Sequence, residues 1–459
     1  MKSHTISLTE GPITKNIIAF SVPILLSNIL QQLYNSIDSA VVGRYAGSVA
    51  LAAVGSTGAL INLLTGFFLG LATGTGVLYA MHYGAGDTKG LKKLIDTALI
   101  LSVIIGAFVT AVGVLFSSEL LRLMNTPEEV LEPSRRYLTI YMSGTIVNMV
   151  YNVGSGMIRA EGDSARPLLY LALGGVVNLI ADVVLVAAAG MGVAGAAWAT
   201  VAAQAITAVL VLHRLTKLNK EYAFDPLHMT PAKISALDVT RISVPCGLQS
   251  SMYNISNLLV QAKINSFGAV AMAGIAAYGK IDAFIYMPMN AIVLSTSTYI
   301  GQNIGAGRYD RMQSGIRASL LLSVASSVVL SIAVLIFYDP LVRLFTTDLP
   351  AIEFGRSMMW FLVPFAWTYS ISDTLGGAIR GAGQAAQATA ITAFCICVFR
   401  IIWLECTLKF VYDIRIVFVC YPISWTLCNF TMLWYYFRKS TLMKSIQKYY
   451  HKTNQEVSL

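Results

Sequence analysis

Charged side chains are scarce in this sequence. Asp, Glu, Lys and Arg together make up 12% of its 459 residues, about half of the roughly 25% that is typical of soluble domains. Hydrophobic residues account for 56% of the chain. Because so few charged side chains cannot cover a water-facing surface, the composition excludes a soluble globular protein.

The sequence also lacks the motifs of several kinds of chemistry. Residues 274–280 match the opening of a phosphate-binding loop, but Ile281 follows Lys280 where Ser or Thr is required. The six cysteines have no zinc-ligand spacing, and neither H-E-x-x-H nor Gly-x-Ser-x-Gly occurs. We therefore expect no enzymatic activity and no cofactor. Since no ATP-binding motif is present, we expect an ion gradient to supply the energy for any work that the protein does.

Long uncharged runs are the strongest positive signal. A bilayer core of about 30 Å requires roughly 20 apolar residues in a helix. Uncharged runs, together with segments interrupted by a single charge, predict an all-α integral membrane protein with twelve transmembrane helices. These helices are predicted at residues 13–38, 49–76, 94–117, 134–157, 166–188, 191–214, 240–263, 272–300, 315–338, 355–378, 387–408 and 415–437.

Lysine and arginine are distributed unequally between the two sides of the predicted membrane. With the N-terminus in the cytoplasm, 21 of the 32 basic residues fall inside and 9 outside, while Lys280 and Arg400 remain within helices. This bias predicts that both termini are cytoplasmic. The net charge of +9 then serves contact with the lipid bilayer, and we expect no nucleic-acid partner.

The chain contains two copies of one six-helix unit. A shift of 221 residues places the Gly-Ala-Gly of 84–86 on that of 305–307, and the Ile-Arg of 158–159 on that of 379–380. Because six is an even number, both copies enter the membrane in the same orientation, as in parallel-repeat transporters, which handle substrate between the halves. The predicted divisions are an N-terminal six-helix bundle at 1–214, a cytoplasmic linker at 215–239, a C-terminal six-helix bundle at 240–437 and a basic cytoplasmic tail at 438–459.

Polar residues inside the first six helices need an explanation, because an ionised residue at mid-bilayer costs about 2.5–3.5 kcal/mol. Asp38 lies toward the outer end of helix 1, and Asp182 lies in the outer half of helix 5, one turn after Asn178 on the same face. Thr200 is in the middle of helix 6. We predict that the two acids line one pocket and bind a proton or Na⁺.

Each acid also has a simpler interpretation. Asp38 could be a helix-end residue at the interface, and Asp182 could make a structural hydrogen bond to a neighbouring helix. The repeat favours function, because the 221-residue shift places Asp182 on Trp403 and Asp38 near Leu259. The acids therefore do not belong to the shared scaffold.

The second copy has its own set of ionisable residues, namely Lys280, Asp282, Asp373, Arg400 and Glu405. Lys280 and Asp282 are two residues apart and do not face each other on a helix. We expect each residue of the set to find a partner across a cavity, either in a structural ion-pair network or in contact with charged substrate. Apolar and aromatic residues are candidates for the wall of a substrate-binding cleft, although most such residues face lipid or the core. These candidates are Tyr34, Phe67, Met142, Met149, Tyr151, Tyr253, Met287 and Trp367.

Taken together, these features resemble the multidrug and toxic compound extrusion (MATE) family. The resemblance rests on Pro23, Asp38, the A-L-A-A-V-G of 50–55, the two Gly-Ala-Gly segments and the paired arginines, in this order and spacing, over roughly residues 10–440. It implies a V-shaped pair of bundles that exports organic cations and amphipathic drugs in exchange for H⁺ or Na⁺.

The resemblance also implies a cation site. The family's acid in helix 1, its Asn and Asp four apart in helix 5 and its Thr in helix 6 correspond to Asp38, Asn178, Asp182 and Thr200. Members with a second-half site carry Glu in helix 7, where this chain offers Gln249. Coupling in the first half is therefore expected, with Asp38 and Asp182 as the candidate Na⁺ ligands.

The sequence thus predicts a monomeric antiporter of small organic molecules in the bacterial cytoplasmic membrane. The nearest alternative is a flippase of a lipid-linked precursor from the same superfamily. Its sign would be a cleft lined with many arginines, and only Arg400 is available. A membrane-embedded enzyme is a further alternative, marked by polar residues at the cytoplasmic face of one helix pair.

Overall fold

The computed structural model describes residues 5–124 and 126–457, and every regular element within these ranges is a helix. The helices in chain order are α1 (Ile13–Tyr45), α2 (Gly47–Gly84), α3 (Thr88–Leu115), α4 (Ser117–Leu123), α5 (Glu128–Ser143), α6 (Thr145–Ala160), α7 (Ala165–Asp182), α8 (Gly192–Thr216), α9 (Lys233–Asn265), α10 (Ala269–Gly305), α11 (Tyr309–Val342), α12 (Leu349–Leu362), α13 (Ala366–Gly381), α14 (Ala385–Thr392), α15 (Phe399–Thr407), α16 (Ile414–Arg438) and α17 (Thr441–Val457).

These helices form the twelve predicted spans. Within the described ranges, nine helical segments are individually long and apolar enough to cross a membrane. The other three spans are α9, whose first turns carry charge, and the two broken helices α5–α6 and α12–α13. The predicted fold class of twelve spans in two six-helix repeats is confirmed.

Several spans are not continuous α-helices. The fourth span is interrupted at Gly144, and the tenth is interrupted by a 3₁₀ turn, Val363–Phe365, that contains Pro364. Proline has no backbone N–H to donate, so the regular ladder cannot continue there. The fifth and eleventh spans contain π-helical turns at Val183–Ala188 and Ala393–Val398.

The repeat is visible in the backbone as well as in the sequence. Three glycines of the first copy and three of the second adopt positive φ angles at the same repeat positions, 221 residues apart. The pairs are Gly47 and Gly268 (φ 88° and 99°), Gly86 and Gly307 (67° and 66°), and Gly162 and Gly383 (98° and 77°). Residues that have a side chain rarely adopt a positive φ angle. The equivalent turns therefore depend on glycine in both copies.

The chain packs as two compact units. The first unit contains Leu26–Gly247, and the second contains Ser7–Leu25 together with the chain from Leu248 onward. The start of α1 thus belongs to the second unit and the start of α9 to the first, which sequence halves alone do not indicate. The chain changes unit two residues after Pro23 and two residues after Pro245. The ends of the predicted divisions, residues 1–4 and 458–459, lie outside the described residues.

Small residues allow α2 and the first half of α9 to approach closely within the first unit. A Cβ atom on Gly70 would lie 2.4 Å from the carbonyl oxygen of Cys246, and one on Gly74 would lie 2.4 Å from Cα of Ser243. The hydroxyls of Thr75 and Ser243 are 3.1 Å apart. This is the close packing that small residues permit between membrane helices.

The segment between α8 and α9 is fastened to the first unit. Asp96 is fully buried, and its Oδ2 accepts hydrogen bonds from the Thr230 backbone N–H (2.8 Å) and hydroxyl (3.1 Å). Lys92 pairs with Asp96 at 3.3 Å and donates to the carbonyl oxygen of Ala223 at 3.0 Å. The predicted linker is therefore a strap with fixed attachment points.

A second attachment point lies at the end of α6. Glu161 is 5% exposed and accepts hydrogen bonds from the hydroxyls of Tyr79 (2.8 Å) and Tyr222 (3.2 Å). Arg214 lies 3.6 Å from its other carboxylate oxygen. Burial raises the pKa of Glu161, and this effect outweighs the lowering by the Tyr79 hydrogen bond and by Arg214.

Candidate cation site

Two buried acids from different helices meet in the first unit. Asp38 lies in the last two turns of α1 and is 8% exposed, and Asp182 ends α7 and is fully buried. Their carboxyl groups are in hydrogen-bond contact with each other. The structure therefore places the two acids together, as the sequence predicts.

Asn178 connects this pair to two further helices. With its amide nitrogen toward Asp182, Asn178 donates from Nδ2 to Oδ2 of Asp182 at 3.0 Å. Its Oδ1 then accepts from the Thr200 backbone N–H at 3.3 Å and from the Tyr34 hydroxyl at 3.2 Å. The opposite orientation would bring acceptors together and donors together, so the hydrogen-bond network fixes this one.

Tyr34 and Thr200 complete the set. The Tyr34 hydroxyl is in hydrogen-bond contact with the Thr200 side chain, and the Thr200 hydroxyl donates to the carbonyl oxygen of Ala196 at 3.0 Å. All four predicted residues thus form one continuous polar cluster, to which the structure adds Tyr34. We call Tyr34, Asp38, Asn178, Asp182 and Thr200 the acidic cluster.

Within the part of the chain that the structure describes, no lysine or arginine pairs with the acidic cluster. Among residues 5–124 and 126–457, neither Asp38 nor Asp182 forms an ion pair with lysine or arginine. Oδ1 of each acid is buried and has no hydrogen-bond donor. Two adjacent carboxylates in a low-dielectric interior repel each other strongly, so the pair is stabilised by any small cation that it can share.

Apolar and aromatic side chains enclose the acidic cluster. The neighbouring core contains Val42, Val186 and Ala196 together with Tyr137. Tyr137 and Tyr141, one turn apart on α5, have nearly parallel rings with centroids 6.4 Å apart and interact electrostatically with Asp38. These surroundings remove water from the acids and so increase their affinity for a cation.

The sequence does not assign the three tyrosines to this site. Tyr34 precedes Asp38 by four residues and so shares its helical face, which is a signal that spacing contains. Tyr137 and Tyr141 lie on another span, and only tertiary packing brings them near Asp38.

The acidic cluster can hold one small cation. It offers carboxylate, amide and hydroxyl oxygens, which suit a hard cation, and its carboxylates can accept a proton equally well. The described part of the chain contains no group of three or more His, Cys, Asp or Glu residues that could hold a metal ion.

Among the five ionisable residues predicted in the second copy, Asp282, Asp373 and Arg400 interact electrostatically with one group of neighbouring tyrosines, whereas Lys280 and Glu405 are exposed. Asp373 lies 3.6 Å from Arg380 and 3.5 Å from the Tyr369 hydroxyl. Asp282 accepts a hydrogen bond from the Tyr278 hydroxyl at 2.8 Å.

The remaining three residues have separate surroundings. Arg400 donates from Nε to the Ser424 hydroxyl at 2.9 Å, and its guanidinium carbon lies 4.3 Å from the Tyr421 ring centroid. Glu405 is exposed and pairs with Lys263 at 2.5 Å, and Lys280 is exposed.

Comparison with known proteins gives a consistent result. The family model described as MatE matches residues 23–184 and 245–403. The chain is 29% identical to "Probable multidrug resistance protein YpnP" of Bacillus subtilis, over 87% of this chain and 89% of that protein. It is 25% identical to "Probable multidrug resistance protein NorM" of Thermotoga maritima, over 85% and 84%.

A more distant relative and a solved structure complete the comparison. The "FAD transporter" of Shewanella oneidensis is 23% identical over 75% of this chain and 77% of that protein. The fold superimposes with a TM-score of 0.88 on an outward-facing multidrug resistance MATE family transporter of the MOP superfamily. That structure is 22% identical, and the match covers 96% of this chain and 99% of that one.

Proposed function

Because the chain belongs to the MatE family, we propose that it is a secondary antiporter that exports amphipathic small organic molecules in exchange for H⁺ or Na⁺ by alternating access. We place it in the bacterial cytoplasmic membrane as a monomer with both termini in the cytoplasm. Its relatives are named as multidrug resistance proteins and, in one case, as a FAD transporter. Organic cations are the first substrate class to test.

The observation that supports this proposal is the buried acid pair of Asp38 and Asp182. A structural role would require a donor for each carboxylate oxygen, yet Oδ1 of both acids has none. Keeping two such groups together in an apolar interior is costly. An exchangeable cation explains why the pair is kept, because it would stabilise the pair only while bound.

The proposed cycle is a competition for negative charge in the first unit. When H⁺ or Na⁺ occupies the acidic cluster, one of its two negative charges is neutralised, and an organic cation is attracted to it less strongly. When the small cation leaves, the charge returns and the organic cation binds again. Because each state binds one partner better than the other, the cation gradient drives export.

Transport in reconstituted vesicles tests this proposal. Wild-type protein is expected to move a fluorescent organic cation when a proton or a sodium gradient is imposed separately, and Asp182→Asn is expected to lose this gradient-driven movement. Asp225→Asn is the matched control, since Asp225 is only half-buried and its side chain accepts hydrogen bonds from Leu227 and His228 of its own segment. Full gradient-driven transport by Asp182→Asn would refute the assignment.

A further inference from the structure

The two repeats present equivalent polar faces on α6 and α13. On α6 this face contains Asn148, Asn152 and Arg159, which follow one another at helical spacing. At the 221-residue shift these positions correspond to Tyr369, Asp373 and Arg380 on α13. The arginine is thus retained in both copies, whereas the acid two turns before it is present only in the second.

In the second copy the arginine is neutralised. Arg380 lies 3.6 Å from Asp373, and the side chains are 9% and 14% exposed. Arg380 also donates to Oε1 of Gln249 at 3.1 Å. This guanidinium therefore has both a counter-charge and a fixed orientation.

In the first copy the arginine has no such partner. Nε of Arg159 is buried and forms no hydrogen bond, and no carboxylate in the described ranges forms an ion pair with this side chain. Asn152 stands where the second copy has Asp373, and its amide nitrogen donates to Asn148 at 2.9 and 2.6 Å. Arg159 is thus a half-buried cation that forms no ion pair within residues 5–124 and 126–457.

Leaving the buried Nε of Arg159 without a hydrogen-bond acceptor is costly unless an acceptor reaches it. Guanidinium groups bind carboxylate and phosphate through paired hydrogen bonds. We propose that Arg159 binds the anionic group of the transported compound, a carboxylate or a phosphate. This inference rests on the proposed export function and extends it to zwitterionic and anionic compounds.

The proposed anion site lies apart from the acidic cluster. Arg159 precedes the start of α7 by a short turn, whereas Asp182 ends that helix. At 1.5 Å per residue, the two ends of α7 are about 25 Å apart. A compound would therefore meet Arg159 and the acidic cluster at different stages of its passage.

Two rhodamine dyes test the inference, because they differ only in one group. Rhodamine 110 carries a free carboxylate, and rhodamine 123 is its methyl ester. Fluorescence anisotropy with purified protein in detergent measures binding of each dye without any ion gradient. We expect Arg159→Gln to weaken rhodamine 110 binding about tenfold, as for loss of one charge-assisted hydrogen bond, and to leave rhodamine 123 binding unchanged.

A second variant controls for the possibility that Arg159→Gln weakens binding by disturbing the fold. Asn152→Asp gives Arg159 the partner that Arg380 already has, and we expect it to weaken rhodamine 110 binding in the same way while rhodamine 123 still binds. If rhodamine 110 binds equally well to wild type and both variants while rhodamine 123 also binds, this inference is wrong and the proposed function stands. If wild type binds neither dye, the proposed substrate class fails with it.

A lipid headgroup phosphate offers Arg159 the same chemistry from another source. Nanodiscs of neutral phosphatidylcholine, with and without phosphatidylglycerol, distinguish the two sources. We expect the difference between wild type and Arg159→Gln in rhodamine 110 binding to persist in neutral nanodiscs. A difference that appears only as weaker retention of phosphatidylglycerol by Arg159→Gln, with equal dye binding, would assign Arg159 to the lipid and overturn the proposal.

Discussion

Asp38 of α1 and Asp182 of α7 contact each other through their carboxyl groups, and neither has a basic partner among the described residues. In the second copy, the half-buried Asp373 is paired with Arg380 within the same helix, whereas Asp282 accepts a hydrogen bond from the Tyr278 hydroxyl. The two repeats thus share a backbone but differ in how they treat a buried acid. This difference supports our proposal that the coupling site lies in the first unit.

Removing one acid of the pair should separate stability from function. Asp38→Asn removes the like charge beside Asp182 and supplies an amide donor. We expect gradient-driven export to fall at least tenfold, while the thermal unfolding midpoint stays the same or rises by a few degrees, because an unpaired buried charge is relieved. Thermal unfolding and vesicle transport of the same preparation check this. A lower midpoint together with intact transport would contradict it.

Tyr34 should tune the acidic cluster without being required for it. Tyr34→Phe removes the hydroxyl that donates to Asn178 at 3.2 Å and leaves the ring in place. A single hydrogen bond contributes about 0.5–1.5 kcal/mol. We therefore expect the apparent affinity for the coupling cation to fall roughly three- to tenfold, with the maximal export rate nearly unchanged. An unchanged cation dependence would show that Tyr34 does not support the site.

The strap should depend on its buried attachment point at Asp96. Asp96→Ala removes the acceptor of the Thr230 hydrogen bonds and the partner of Lys92. Leaving such groups unpaired costs about 1–3 kcal/mol. We expect faster limited proteolysis within residues 219–232 and a lower unfolding midpoint.

Asp225→Ala is the control for this prediction. Asp225 lies in the same segment, and its side chain accepts hydrogen bonds from Leu227 and His228 beside it. Equal proteolysis rates for Asp96→Ala, Asp225→Ala and wild type would show that the strap is held by other contacts.

Glu161 should make stability depend on pH. Its pKa is raised by burial, so the folded state favours the protonated form. The protonated Glu161 side chain contributes fully to the free energy of unfolding below the ordinary pKa of glutamate. This contribution is lost as pH rises through the raised pKa of Glu161 in the folded protein. We expect Glu161→Gln to gain stability relative to wild type as pH increases over this range, measured as thermal midpoints. The exposed Glu221 provides a control, since Glu221→Gln should track wild type at every pH.

The sequence predicts the spans well because bilayer thickness fixes their length. Uncharged runs of sufficient length are rare by chance, so all twelve spans are recognisable. Their interruptions are less evident, because residues 137–158, which include Gly144, contain no charged residue. The pair Ser143-Gly144 is a weak local signal of a break there. The exchange of the α1 and α9 starts between the compact units depends on tertiary packing, which hydropathy does not report.

The sequence predicts those site residues whose charge is unexpected inside a membrane span, but it does not predict their partners. Asp38 and Asp182 stand out because acids are rare inside membrane spans and because the second copy has no acid at the equivalent positions. In the second copy the same reasoning finds Asp373 but misses Arg380, its partner seven residues later. Glu405 is paired with Lys263 at an exposed position. Partner choice depends on which helical faces meet, and helix spacing alone does not determine that.

Proton release on binding is the most direct test of the central claim, that Asp38 and Asp182 share one exchangeable cation. In weakly buffered, sodium-free solution near neutral pH, a saturating organic cation is added to purified protein and released protons are measured. Both proteins are compared at concentrations of the organic cation at which each of them binds it. Wild type is then expected to release about one proton per chain, and Asp182→Asn is expected to release none. Equal proton release by the two proteins would show that the acid pair does not hold the exchanged cation.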